Sequence, residues 1–182
     1  MRARENGTMS VMVRRAAVAD GAARARLWAE SRAFFVNLDP GTAQEPEPRG
    51  LVEWHEGIYA RYADDPTVLM LVAEVDGRVV GAVTARLFEP LPSASWQVMR
   101  DLAHRRVHVD ALTVAGSARR TGVGTALMAA VERWAVEREA VAITLETGLG
   151  NPTSVPFYEQ RMGYTRHEVV FRKPLTGAPS SP

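Results

Sequence analysis

The chain contains no cysteine, which removes disulfides, thiolate metal ligands and a cysteine nucleophile together. Catalysis through a covalent thiol intermediate on the protein is excluded. Lysine is nearly absent as well: Lys173 stands alone, and no Gly-Lys-Ser/Thr occurs, so a nucleoside-triphosphate loop of that type is excluded. No stretch approaches the roughly 20 apolar residues of a membrane span, and the polar residues Met1 to Ser10 lack the apolar centre of a secretory leader. The formal net charge is only +1, so no global field draws the chain to nucleic acid or to an anionic membrane. The resulting expectation is a cytoplasmic protein with neither as a partner. No internal repeat is visible.

With 182 residues, the chain has room for one domain with a substantial core, expected over residues 11–173 between flexible tails at 1–10 and 174–182. Val11 to Arg14 reads as a short strand. Asp20 to Val36 reads as an amphipathic helix carrying Leu27, Trp28, Phe34 and Phe35, with Asp20 as its N-cap. A proline-containing loop, Asn37 to Arg49, leads to a second helix from Leu51 to Tyr62. Val68 to Val75 and Val79 to Phe88 are β-rich runs joined by Asp76-Gly77, a strong hairpin signal. A helical turn between Ser95 and His104 precedes a strand from Val107 to Val114. A helix from Gly122 to Arg138 buries Val123, Leu127, Val131 and Trp134 at helical spacing. Val141 to Thr147 then reads as a strand parallel to the previous one across a right-handed crossover. A helix from Pro152 to Arg161 and a final strand from Tyr164 to Arg172 complete the pattern.

The most informative stretch is Val109-Asp110-Ala111-Leu112-Thr113-Val114 followed by Arg119-Arg120-Thr121-Gly122-Val123-Gly124-Thr125. It reads as strand, tight basic loop and helix start. Free backbone N–H groups and the positive dipole end at such a helix start favour an anion, and the arginines add charge-assisted hydrogen bonds to phosphate oxygens. Gly122 and Gly124 are expected to let that ligand approach the backbone. A dinucleotide-binding fingerprint fits poorly, because its third glycine falls at Leu127 and no acidic residue follows at the required spacing.

The Arg-x-x-Gly-x-Gly pattern after a Leu-Thr-Val strand end resembles the acyl-CoA signature of the GNAT N-acetyltransferase superfamily. Asn151-Pro152-Thr153-Ser154-Val155-Pro156-Phe157-Tyr158 resembles its second signature. The likeness covers residues 11 to 173 and is specific from Val107 to Tyr164. It implies an α/β fold with a mixed, mostly antiparallel central sheet, flanked by helices, whose two parallel strands splay apart to admit acetyl-CoA as co-substrate. It implies no metal. Leu112, Thr113 and Val114 would contact the thioester and pantetheine through their backbone. Arg119, Arg120, Thr121, Gly122, Val123, Gly124 and Thr125 would hold the pyrophosphate. Asn151 would meet the pantetheine, or simply cap the following helix. Tyr158 matches the general acid, although Gly163 and Tyr164 lie one residue further along than the common pattern, an insertion able to turn the helix and displace it.

On the acceptor side, strict strand alternation places His108, Asp110 and Leu112 on one face and Val109, Ala111 and Thr113 on the other. The resemblance directs His108 and Asp110 toward the amine, with Asp110 the stronger candidate because a carboxylate in an apolar strand needs a partner or a task. His108 is either a base or a hydrogen-bonded strand residue. Trp28, Glu30, Phe34 and Phe35 on the first helix, with Glu53, Trp54, His55 and Tyr59 on the second, either frame an amine with aromatic walls and acidic groups, or the aromatics belong to the core and the glutamates are solvated. Glu146 on the second splayed strand is a further substrate candidate. The implied activity is acetyl transfer to the amine of a small molecule in a ternary complex. Acetylation of proteins or peptides, and a non-catalytic acyl-CoA-binding module, stand as rivals; a homodimer is allowed.

Overall fold

The run from Val68 to Val75 has no polar stripe to turn toward water, and it forms the interior of a sheet. In the computed structural model, which describes residues 10–173, this run is strand β2 (Val68–Val75), buried along both faces. Strand β3 (Arg78–Phe88) returns antiparallel to it. Asp76 and Gly77 take φ of 50° and 72° at the turn, the conformation that matches strand twist. Strand β1 (Met12–Arg15) pairs antiparallel with the outer edge of β2. Strand β4 (Arg106–Val114) pairs antiparallel with β3, and β5 (Ala142–Leu145) lies parallel to β4. The order β1-β2-β3-β4-β5 is the expected mixed sheet.

Alternate residues of β2 serve opposite layers. Leu69, Leu71, Ala73 and Val75 belong to a core with α3 (Val123–Glu137), whose Val123, Leu127, Met128 and Val131 are at most 1% exposed. Burial of each such side chain contributes about 1.5–3 kcal/mol, so this stripe fixes α3 against the sheet. Val72 packs with Leu27 of α1 (Gly21–Leu38), while Val68 and Met70 pack with Tyr59 of α2 (Leu51–Tyr62). The helices therefore cover both faces, and α3 connects the parallel pair. No helix of the described residues is long and apolar enough to cross a membrane.

Three local expectations are corrected. Asp20 does not cap α1 with its side chain; its carboxylate accepts the Ala17 N–H and pairs with Arg14, because a preceding turn, Val18–Asp20, points it back toward β1. The region expected to be helical from Pro152 is shorter, comprising α4 (Ser154–Pro156) and a wider turn, Phe157–Arg161. The final strand expected over Tyr164 to Arg172 is not formed: that segment pairs with no strand, and Val169, Val170 and Phe171 are exposed. Of the expected tails, residues 1–9 and 174–182 lie outside the described residues.

Candidate functional site

The parallel strands are joined only from Arg106 with Ala142 to Val109 with Leu145. Beyond that point they part. At the same place the β3–β4 register slips, for Thr84 faces Ala111 and Ala85 faces Val109, leaving Asp110 as the extra residue of a β-bulge. A bulge re-aims the side chains that follow it. Val107 and Val109 belong to the α3-side core, and past the bulge Leu112 and Val114 pack on that same core. Thr113 instead accepts a hydrogen bond from Arg24 of α1 at 3.0 Å, and Asp110 meets Arg86 of β3. The strict alternation is thereby corrected: Asp110 stays with His108 on the α1/α2 side, while Leu112 crosses to the other.

A cavity of about 220 Å³ occupies this fork, and its lining includes Trp28, Asp110, Leu112, Thr113, Glu146 and Tyr158. Tyr158 is flanked edge-on by Phe157 at 5.1 Å and Tyr164 at 5.8 Å. Burial pushes its phenol up to about 12, so it stays protonated at neutral pH. The residue inserted before Gly163 is absorbed in the turn beneath Tyr158. Met162 N–H donates to Phe157 C=O across five residues at 3.1 Å, a π-type bond, and Tyr164 N–H reaches Tyr158 C=O at 2.9 Å. Gly163, with φ of 76°, closes the turn in a conformation that favours glycine. Tyr158 thus keeps a place in the cavity wall despite the insertion.

Both oxygens of Asp110 are engaged by Arg86, at 2.8 and 2.6 Å. His108 shares a hydrogen bond with Thr144 of β5 through Nδ1 at 3.0 Å and lines neither of the cavities described here. The two residues share a face, but Asp110 alone reaches the cavity.

The basic loop presents a run of backbone donors at the start of α3. The N–H groups of Arg120, Thr121, Gly122, Val123, Gly124 and Thr125 meet no acceptor among the described residues; the ladder of α3 begins with Ala126 N–H donating to Gly122 C=O. Six consecutive free donors at the positive end of a helix suit a pyrophosphate. Gly122 starts the helix at φ of 91°. Two anchors hold the loop, Thr121 Oγ1 donating to Ala118 C=O at 2.7 Å and Gly116 N–H donating to Glu30 of α1 at 2.5 Å. Glu30, expected near the acceptor, therefore fixes the loop. Arg119 lies over the Phe34 ring at 5.2 Å, and Phe34 is absent from the cavity wall, whereas Phe35 is part of it.

Gly124 serves packing, since a Cβ there would stand 3.3 Å from the Phe157 ring. Asn151 takes the capping alternative. Its Oδ1 accepts the N–H groups of Thr153 and Ser154, its Nδ2 donates to Thr147, and the residue is only 1% exposed.

On the acceptor side, Trp28 lies between Arg32 at 4.2 Å and Arg24 at 5.5 Å, and edge-on to His55 at 5.9 Å. His55 is 3% exposed with no partner for Nε2; burial, reinforced by the Arg24 charge, lowers it to about 4. Tyr59 is core. Sequence reasoning missed Arg86 and Arg24. Arg86 faces His108 across the β3–β4 ladder, a signal available only once register is known, whereas Arg24 is marked by its i, i+4 spacing from Trp28. A second groove of about 520 Å³ runs between α2 and the sheet and meets the first cavity at Asp110. Among the described residues no group of three His, Asp or Glu could hold a metal ion.

Residues 26–164 match the model of the Acetyltransferase (GNAT) family. No curated protein matches the chain significantly. Among solved structures, a transcriptional regulator from Bacillus halodurans C-125 is similar with a TM-score of 0.70 at 19% identity, covering 91% of this chain and 100% of that one. An aminoglycoside acetyltransferase from an uncultured soil metagenomic sample is similar at 0.61 and 19%, covering 92% and 100%. The aminoglycoside N-acetyltransferase AAC(6')-Iy in complex with CoA is similar at 0.60 and 19%, covering 92% and 96%. At these identities the likeness is one of fold.

Proposed function

This chain belongs to the acetyltransferase (GNAT) family, and from that premise we propose that it moves an acetyl group from acetyl-CoA to the amine of a small molecule, by direct transfer in a ternary complex, with residues 11–173 as one catalytic domain. The observation that carries this reading is the fork at Asp110: the two parallel strands separate there, and the opened space brings Tyr158, Asp110 and Glu146 around one cavity. A CoA complex of a protein with the same fold, and acceptors named as aminoglycosides in two such proteins, support a small amine over a protein substrate.

Acetyl-CoA would supply the thioester. Its pyrophosphate suits the free donors from Arg120 to Thr125, with Arg119 and Arg120 adding charge. The outer backbone edge of β4 past Val109 has no partner in β5, so Leu112, Thr113 and Val114 offer hydrogen bonds to the thioester carbonyl and the pantetheine amides. Asn151 positions the Ser154–Pro156 turn and thereby Tyr158.

In the transfer, the acceptor ammonium first gives up a proton, the N–C bond forms at the carbonyl carbon, the nitrogen releases its second proton to solvent as the C–S bond breaks, and the sulfur takes the phenolic proton of Tyr158, which solvent replaces. Asp110 stands where the amine must pass between the two cavities; it holds the ammonium by charge and receives its proton directly or through water. His108, bonded to Thr144, acts on that proton only by relay. Trp28 and Glu146 complete the wall facing the acceptor.

The test is release of CoA thiol from acetyl-CoA in the presence of a panel of polyamines, aminoglycosides, amino acids and peptides. Turnover with one small amine supports the proposal. Turnover confined to peptides transfers the activity to a protein acceptor, and tight binding without thiol release from any of them leaves a binding module.

A further inference from the structure

Helix α2 carries a glycine in its interior, where glycine is less favourable than alanine. Gly57 has no packing reason to be there: a Cβ at this position would meet no atom within 4 Å. Gly21 on α1 shows the contrast, because a Cβ there would collide with Glu56 of α2. The space that Gly57 leaves belongs to the groove of about 520 Å³ between α2 and the sheet. Two adjacent stripes of α2 form one wall, Glu53, Gly57 and Arg61 beside Trp54, Ile58 and Tyr62. The floor is Val68 and Met70, each about nine-tenths buried or more. At its far end lies the Arg86–Asp110 pair, and Asp110 is shared with the fork cavity.

The charges in this groove cancel. Glu53 and Asp110 face Arg61 and Arg86, and Asp110 is already matched by Arg86. A polyamine or an aminoglycoside, with several ammonium groups, would need several carboxylates, whereas the groove offers only Glu53 and the Asp110 it shares with Arg86, set against two arginines. The helix would favour Glu53 in its first turn and Arg61 in its last for reasons of dipole alone, so their placement by itself marks no ligand; the open space at Gly57 and the uncommitted donors of the arginines do. Arg61 has no ion-pair partner among the described residues, and Arg86 keeps donors that Asp110 does not use.

Resting on the acetyltransferase reading above, we infer that the groove is the acceptor site and that its acceptor is an amino acid with an aromatic or branched aliphatic side chain. The apolar side chain fills the space over Gly57 against Trp54, Ile58 and Met70. The carboxylate meets Arg61 and Arg86, and the amine is left at Asp110, the one residue of the groove that also lines the thioester cavity.

The experiment is thiol release from acetyl-CoA with L-phenylalanine, with phenethylamine, which has the same body without the carboxylate, and with spermidine and kanamycin, for the wild type, Gly57→Leu and Arg61→Gln. L-Phenylalanine is expected to exceed phenethylamine in kcat/KM by about tenfold or more, the scale of one charge-assisted contact, and Arg61→Gln to remove most of that preference. Gly57→Leu is expected to raise KM for L-phenylalanine by about tenfold or more, to melt no lower than the wild type, and to keep its thermal shift with acetyl-CoA. Spermidine or kanamycin outrunning L-phenylalanine, or an unchanged KM in Gly57→Leu, overturns the inference. If no amine releases thiol, calorimetric titration with L-phenylalanine decides: binding by the wild type that Gly57→Leu loses supports the pocket while the transfer reading fails, and no binding overturns the pocket.

Discussion

Acidification tests the packing behind Trp28 through a single buried imidazole. His55 is 3% exposed, its Nε2 meets no partner, and two indoles lie edge-on to it, Trp54 at 4.7 Å and Trp28 at 5.9 Å. The charged group facing it is Arg24, itself buried. Burial, and then the Arg24 charge, lowers the imidazole from 6.5 to about 4. Its folded value lies below its unfolded value, so the unfolded chain takes up a proton that the folded chain refuses. Stability is therefore undiminished above the unfolded value and falls as pH drops from 6.5 toward 4. Between pH 7 and pH 5 about 1.5 pH units of that window are crossed, worth about 2 kcal/mol. For a chain of this length that lowers Tm by about 4–8 °C. The assay compares melting at pH 7 and pH 5 for the wild type and for His55→Phe, which keeps a ring between the tryptophans. Asp20, held below its usual 3.8 by Arg14, loses its contribution only below that value, outside the window. The wild type should lose about 2 kcal/mol more than the variant over this interval. An equal loss in both proteins would mean that His55 titrates as a hydrated imidazole.

Four substitutions probe the site itself. Tyr158→Phe should keep acetyl-CoA binding and lower turnover by about ten- to a thousandfold; wild-type thiol release in that variant would assign the proton to water. Asp110→Asn should reduce kcat more than His108→Gln and shift the pH–rate profile, because Asp110 lines both cavities and His108 neither; equal rates and profiles in the two variants would make this face structural. Gly124→Val should lower stability by about 1–3 kcal/mol through overpacking against Phe157, read by denaturant unfolding, and unchanged stability would show that the turn carrying Tyr158 yields freely.

The elements that periodicity defines were readable from the chain. Helix α2 begins and ends where its apolar spacing does, at Leu51 and Tyr62, and the four residues expected at the base of α3 are all buried. Asp76-Gly77 announced the β2–β3 turn because its backbone conformation follows from those two residue types. What escaped were relations between elements. The bulge at Asp110 exists only as a mismatch against β3, and nothing in a strand read alone tells which residue is the extra one; with it went the face of Leu112. Arg86 was invisible as a site residue for the same reason. The β-branched run near Val169 and Val170 satisfied the local pattern of a strand, yet a strand also needs a neighbour, which these residues lack among the described ones. For Tyr158 the inserted residue was visible, but whether it would displace the ring or be absorbed in a wider turn depended on the Phe157–Met162 hydrogen bond.

Whether the free amides from Arg120 to Thr125 hold an acyl-CoA is read from the melting temperature with and without acetyl-CoA. A ligand that binds only the folded state at about 100 times its dissociation constant adds about 2.7 kcal/mol, which predicts a rise of roughly 5–10 °C for this chain. An unchanged Tm at millimolar acetyl-CoA would mean that these amides hold no acyl-CoA.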